Sequence, residues 1–217
     1  HSFELETSLA AKGKSAALQM VKDVMHDPGE VIYVRQQEPA GLGHAIWCAR
    51  HLIGKEPVAV LLADDLILGV SCLKEMVAAY KGGNMIAVMD VPEDQTSAYG
   101  IVTPGQDNGD LVEIVGLVEK PAPADAPSNI GVVGRYIITP EVFDTLSGHE
   151  RGAEDEVQLT DALAQQIGAA PFFGLRFSGE RFDCGSKIGF LQANLAFGLN
   201  NLDLNEDLML WIRNRVT

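Results

Sequence analysis

Two aspartates stand where strand-like runs end. Asp64 closes VAVLLAD (58–64), beside Asp65, and Asp183 lies in RFDCGSK (181–187). In open α/β sheets ligands collect beyond the carboxyl ends of the strands, so these positions have first claim on chemistry. A carboxylate there is a hard oxygen donor suited to Mg²⁺, which keeps waters and substrate phosphates in its other positions. Two such groups from distant parts of a chain can hold one or two Mg²⁺ ions at a phosphoryl-transfer centre. Each also has a simpler reading: Asp64 can cap the turn after its strand, and Asp183 can N-cap a helix from Lys187 onward. One of the pair Asp64 and Asp65 is expected to face solvent, and Asp64, directly after the strand, is the expected ligand.

Between them lies VEKP, with Glu119 and Lys120 adjacent at the end of an apolar run. Neighbours on a strand point to opposite faces, so both can serve one ligand only if the strand ends or bends, which Pro121 allows. Lysine is a point-charge phosphate binder and glutamate accepts hydrogen bonds from sugar hydroxyls; an exposed ion pair is the alternative. GLGHA (41–45) opens a helix after a strand, but Ile46 stands where a dinucleotide fingerprint needs its third glycine. Gly41 and Gly43 still allow a flat ligand to approach the backbone closely, with the Gln36 amide available to a base edge. No Ser/His/Asp set, HExxH or P-loop occurs, and His44 reads as a packed or capping histidine. Cys48, Cys72 and Cys184 are far apart, without metal-ligand spacing, and read as reduced structural thiols. The chemistry suggested is positioning and charge neutralisation of phosphates rather than covalent catalysis.

These groups need a scaffold. VIYVRQ (31–36) reads as a strand, GLGHAIWCARHLIG (41–54) as a helix with Leu42, Ala45, Ile46, Ala49 and Leu52 on one face, and VAVLLAD as a strand buried on both faces. CLKEMVAAYKGG (72–83) reads as a helix and NMIAVMDV (84–91) as the next strand, completing a βαβαβ run. After Pro92 come shorter pieces, YGIVTPG, LVEIVGLVEKP and NIGVVGRYIIT, with QDNGD as a hairpin connection and PAPADAPSN as a surface loop. EVFDTL and EVQLTDALAQQIG are expected helices, PFFGLRFSG a strand, and FDCGSKIGFLQANLAFGL a turn opening a helix. The last helix, LNEDLMLWIRNRV (204–216), carries Leu204, Leu208, Trp211, Ile212 and Val216 as its apolar set and can dock on its own domain or a second subunit. The fold class is α/β: a mixed, mostly parallel sheet flanked by helices, with added antiparallel strands.

The 217 residues, 47% hydrophobic and 21% charged, suit one substantial core. A net charge of −14 makes nucleic acid an unlikely partner, because the chain would repel a polyanion unless its cations were concentrated. No apolar run approaches a membrane span, and the first residues lack the features of a signal peptide, so a cytoplasmic protein is expected.

In order and at the right spacings, RQQEPAGLGHAIWCARHLI, VAVLLADDLIL, AYGIV, GLVEKP, APSNIGVVGRYIITPEVF, EVQLTDAL and FDCGSKIGFLQANLAFGL resemble the bacterial UTP:glucose-1-phosphate uridylyltransferases. The resemblance implies a Rossmann-like nucleotidyltransferase fold and a Mg²⁺-dependent enzyme that forms UDP-glucose and pyrophosphate from UTP and glucose 1-phosphate. It implies that Asp64 and Asp183 bind Mg²⁺ and that Gln36 and Gly41 lie near the uracil. It further implies that Gly100 contacts the sugar through its backbone, Glu119 binds glucose hydroxyls and Lys120 meets the sugar phosphate. Gly131 is expected to line the sugar pocket and Lys187 to be a further phosphate contact. The implied assembly is a homodimer or homotetramer, with residues 1–200 as catalytic domain and the helix at 201–217 as a possible oligomer contact. Family members begin with a strand and a glycine-rich loop, GxGTRxxPxTK; HSFELETSLAAKGKSAALQ does not match it, and this segment is expected to be missing. Alternatives are a nucleotidylyltransferase for another base or sugar, and a non-catalytic binder of nucleotide sugars.

Overall fold

The computed structural model describes residues 3–148, 152 and 155–216. The chain divides into two compact units, His1–Arg35 and Gln36–Thr217. In the first, helices α1 (Phe3–Ala11) and α2 (Ser15–Asp23) bury none of their residues. Residues 31–36, expected as a strand, form none. Ile32 and Tyr33 are 61% and 93% exposed, since no ladder partner among the described residues covers this β-prone run.

The second unit is built on a six-stranded sheet: β1 (Val58–Leu61), β3 (Asn84–Asp90), β4 (Gly100–Asp107), β5 (Leu111–Glu119), β6 (Ile130–Ile138) and β7 (Phe172–Arg176), in the order β1-β6-β3-β7-β5-β4. The sheet is mixed, as expected, but among its described pairings only β3 with β7 is parallel, so it is not mostly parallel. The hairpin β4–β5 and the strand β6 follow the expected pieces closely. The run 58–64 is shorter than expected and is not buried on both faces: among the described residues β1 is an edge strand paired only with β6, and Leu61 is half exposed. The doubly buried strand is β3, between β6 and β7. Ile86 and Val88 pack into one apolar cluster and Met85 and Ala87 into the other, as period-two alternation requires.

Helices α3 (Leu42–Cys48), α5 (Glu141–Leu146) and α6 (Leu159–Ala164) contribute to the first cluster, and α4 (Cys72–Ala79) to the second. The helix expected over 41–54 stops at Cys48 and continues as a 3₁₀ turn at Arg50–Leu52, leaving Leu52 half exposed. A second, two-stranded sheet joins β2 (Asp65–Leu68) to β8 (Glu180–Asp183), and neither strand's pairing was expected. Two helices, α7 (Lys187–Asn200) and α8 (Asn205–Val216), follow. On α8, Leu208 and Ile212 are partly buried, whereas Trp211, expected with them, is half exposed. No described helix is long and apolar enough to cross a membrane.

Candidate functional site

The small β2–β8 sheet brings the two acidic positions together. In its antiparallel register Asp65 is opposite Asp183, and the Cys184 N–H donates to the Asp64 carbonyl at 2.7 Å. Asp64 lies on the turn before β2 and is exposed; Asp183 ends β8 and is half-buried. A Cβ built on Gly185 would lie 3.1 Å from Asp183 Oδ1 and 3.2 Å from Asp64 Oδ2, so both carboxylates face one small space. The turn is fixed locally. Asp183 Oδ1 accepts from the Gly185 N–H at 3.0 Å, and Ser186, not Asp183, caps α7 by accepting from the Gly189 N–H at 3.0 Å. The capping alternative for Asp183 is thereby removed, and its second oxygen is left to other partners.

Asp65 does a different job from its neighbour. It is 5% exposed, accepts from the Gly134 N–H at 2.6 Å and forms an ion pair with Arg181. Like charges directly opposite across a ladder repel, and the Arg181 guanidinium offsets that repulsion at Asp65 and Asp183. Arg181 also donates to the Tyr99 hydroxyl at 3.2 Å. Burial opposes the Arg181 charge, but the Asp65 carboxylate outweighs it, and the guanidinium is held above its ordinary range. Gly134 must be glycine, because a Cβ there would lie 2.4 Å from Asp65 Oδ2 and 2.7 Å from Leu62 Cβ.

These groups line a cleft of about 230 Å³ whose wall also includes Tyr99, Gly100, Glu119, Tyr136, Gln158 and Thr160. Gly100 pairs with Glu119 across β4–β5, and a Cβ on Gly100 would come 3.2 Å from Glu119 Oε2. Burial, then the Glu119 and Asp65 carboxylates, push the Tyr136 hydroxyl well above its ordinary range. With four carboxylates and one guanidinium on its wall, the cleft attracts cations. Among the described residues no group of three or more His, Cys, Asp or Glu side chains is placed to hold a metal ion. The Asp64 and Asp183 pair nevertheless suits Mg²⁺, which is commonly bound through one or two carboxylates with substrate phosphates completing its shell.

Of the sequence-derived site residues, the cleft wall therefore includes Asp64, Asp183, Gly100 and Glu119. Lys120 follows Glu119 but is not a wall residue; it is exposed at φ 45°, and its N–H donates to the Tyr99 carbonyl at 3.0 Å. This left-handed bend frees Glu119 and Lys120 from strict strand alternation. Gly131 is buried in β6, its missing Cβ filled by Val91 and Tyr99, and the wall residue is its neighbour Val132. Lys187 is the exposed first residue of α7. Gln36 donates to the Gly41 carbonyl at 3.1 Å and contacts His44 Nδ1 at 2.9 Å, and is not a cleft-wall residue. The close approach at Gly41 and Gly43 is made by the chain itself: Cβ atoms there would lie 2.7 Å from Glu156 Cβ and 2.7 Å from the Val157 carbonyl. Arg181, Tyr99, Gly134, Gln158 and Thr160 were missed. Alternation along β8 was the available signal for Arg181, since residues two apart share a face and Arg181 precedes Asp183 by two.

The profile of the nucleotidyl transferase family matches residues 3–197. The chain is 50% identical over 190 residues to a UTP-glucose-1-phosphate uridylyltransferase of Komagataeibacter xylinus, covering 86% of this chain and 67% of that protein. It is 40% identical over 212 residues to the enzyme of that name from Bacillus subtilis, covering 96% and 72%. Among solved structures it is similar to a UDP-glucose pyrophosphorylase complexed with UDP-glucose, at 38% identity and a TM-score of 0.80 over 88% of this chain and 74% of that one. It is also similar to a UTP-bound UGPase from Acinetobacter baumannii, at 35% identity and a TM-score of 0.85 over 98% and 75%.

Proposed function

The chain belongs to the nucleotidyl transferase family, and within it to the UTP-glucose-1-phosphate uridylyltransferases; from that premise we propose that it forms UDP-glucose and pyrophosphate from UTP and glucose 1-phosphate. Nucleotidyl transferases commonly use divalent metal ions, and Mg²⁺ held by Asp64 and Asp183 is the reading the donor set supports. When bound, the ion neutralises phosphate charge at the point where two anions must meet. Glu119 accepts hydrogen bonds from glucose hydroxyls, and the absence of a side chain at Gly100 leaves room for the sugar beside it. Lys120 offsets the charge of the sugar phosphate, with Lys187 as a further phosphate contact. A phosphate oxygen of glucose 1-phosphate attacks the α-phosphorus of UTP in line, the bond to the bridging oxygen breaks, and pyrophosphate leaves with that electron pair. No side-chain nucleophile takes part, so catalysis rests on positioning and electrostatics. In this reading Gln36 and Gly41 lie near the uracil and Gly131 lines the sugar pocket. A cytoplasmic homodimer or homotetramer with α8 at a subunit contact belongs to the same reading.

The observation that carries the proposal is the shared space of Asp64 and Asp183 at Gly185, in one cleft with Glu119. UDP-glucose formation from UTP and glucose 1-phosphate, measured with Mg²⁺ in Asp64→Asn and Asp183→Asn, is expected to fall at least about 100-fold in each. Near-normal synthesis in either variant would end the assignment. A panel of other nucleoside triphosphates and sugar phosphates separates this activity from that of a related nucleotidylyltransferase, and binding of UDP-glucose without turnover would mark a non-catalytic homologue.

A further inference from the structure

Arg181 joins three parts of the site. Its side chain is 13% exposed and pairs with the buried Asp65 carboxylate one residue after Asp64, while Arg181 itself stands two residues before Asp183 on the same strand. Its Nη1 donates to Tyr99, whose carbonyl receives the Lys120 N–H and whose next residue is Gly100. Asp65 in turn is fastened to β6 through the Gly134 N–H. The β2–β8 pairing has four residues on each strand and, among the described residues, no ladder with the main sheet, so its ladder alone fixes its position weakly. On the β2 side Arg135 of β6 also donates to the Asp65 carbonyl, and on the β8 side Arg181 supplies the tie.

We infer that the Asp65–Arg181 pair is a positioning device: it locks the β2–β8 register onto β6 and Tyr99, and so holds Asp64 and Asp183 together at a set distance from Glu119 and Lys120. This rests on the uridylyltransferase reading for its consequence but not for its geometry. Arg181 acts through the two acids, not on substrate. Groups one step removed from a metal typically change affinity or activity by about 10–100-fold when lost, and that is the expected size here.

The test compares wild type with Arg181→Met, Arg181→Lys and Asp65→Asn/Arg181→Met, using Mn²⁺ as probe. Mn²⁺ binding without substrates is followed by electron paramagnetic resonance, UDP-glucose formation by kcat and by KM for each substrate, and folding by thermal melting. Arg181→Met is expected to weaken Mn²⁺ binding about 10-fold or more and to lower kcat with little change in either KM. Arg181→Lys, which can keep Asp65 but not Asp65 and Tyr99 together, should recover part of both. The double variant removes the unpaired buried charge and should melt nearer to wild type than Arg181→Met while binding Mn²⁺ as weakly. Unchanged Mn²⁺ binding with a raised KM would make Arg181 a substrate contact, and a lowered melting temperature with unchanged Mn²⁺ binding and kcat would make the pair merely structural; either result overturns the inference. If wild type binds Mn²⁺ but forms no UDP-glucose, the proposed activity fails while the binding and melting measurements still decide the role of the pair.

Discussion

Gly185→Ala is the smallest change that should separate folding from chemistry. The added methyl would sit 3.1 Å from Asp183 Oδ1 and 3.2 Å from Asp64 Oδ2. These approaches are tighter than ordinary contact by a few tenths of an ångström, and both neighbours are carboxylates that can rotate. Gly185 is not among the positive-φ glycines, so alanine brings no backbone strain there. Replacing glycine at a compatible position stabilises by about 0.4–1 kcal/mol through the unfolded chain, which offsets the crowding. Net stability should therefore stay within about 1 kcal/mol, a melting shift of no more than roughly 4 °C for a chain of this size. Activity has no such compensation. The methyl takes the space that both carboxylates face, and they can make room only by turning away from each other. Misplacement of about 1 Å can cost on the order of 100-fold in rate, about 2.7 kcal/mol of transition-state stabilisation. Thermal melting together with pyrophosphate release from UTP and glucose 1-phosphate reads both quantities on one preparation. An alanine variant that keeps more than half of the wild-type kcat, with its Mg²⁺ requirement unchanged, would show that the shared space is not where the chemistry occurs.

Two further outcomes follow from neighbouring groups. Asp65→Asn should lose about 3 kcal/mol, or roughly 6–12 °C in melting temperature, because it leaves the buried guanidinium unpaired, while Asp64→Asn should change stability by less than about 0.5 kcal/mol; urea unfolding of the two variants compares them directly, and equal losses would refute the division of labour. At Cys72, burial and then the Glu75 carboxylate, against Arg135, raise the thiol from its ordinary value of 9.0 to about 11. Between those values the unfolded chain releases the thiol proton and the folded one keeps it, so stability should decline as pH rises through that window, and Cys72→Ala should flatten the decline seen in urea titrations at pH 9 and 11.

Legibility in the sequence follows the range of the interactions. The hairpin β4–β5 was readable because QDNGD and the alternating runs beside it are local, and α4 and α7 because their apolar periods and ends are local as well. Residues 31–36 misled for the same reason. They have the composition of a strand, but a strand exists only with a neighbour, and none is supplied by the described residues. The apolar run 58–64 suggested a strand between helices, yet burial is set by position in the sheet, and β1 is an edge. The pairing of β2 with β8 joins segments more than a hundred residues apart over four residues, and no local pattern announces it. Asp64 and Asp183 were still recognisable as candidates, because each follows a strand-like run. With Asp64 taken as the ligand, Asp65 was left as the solvent-facing neighbour, but the structure buries Asp65 and exposes Asp64, because Arg181 and the Gly134 N–H, both distant in sequence, hold Asp65.

That separation explains how an acidic protein can handle phosphates. A net charge of −14 disfavours the approach of a nucleoside triphosphate or a sugar phosphate from any direction. The cleft wall, with Asp64, Asp65, Glu119 and Asp183, would make this worse if all four carboxylates faced the ligand as bare charges. They do not stand alike: Asp65 is paired with Arg181, Glu119 lies against Gly100, and of the four Asp64 and Asp183 converge on one space. Negative charge in the site is thus divided into one part held by a built-in cation and two others, which the proposed function gives to sugar hydroxyls and to a divalent ion that would turn repulsion into attraction. Under the proposed function, a divalent ion between those two acids, together with Lys120, would offset the cleft's charge where the phosphates enter, so the expected dependence on a divalent ion would follow from the electrostatics of the whole cleft rather than from any single residue.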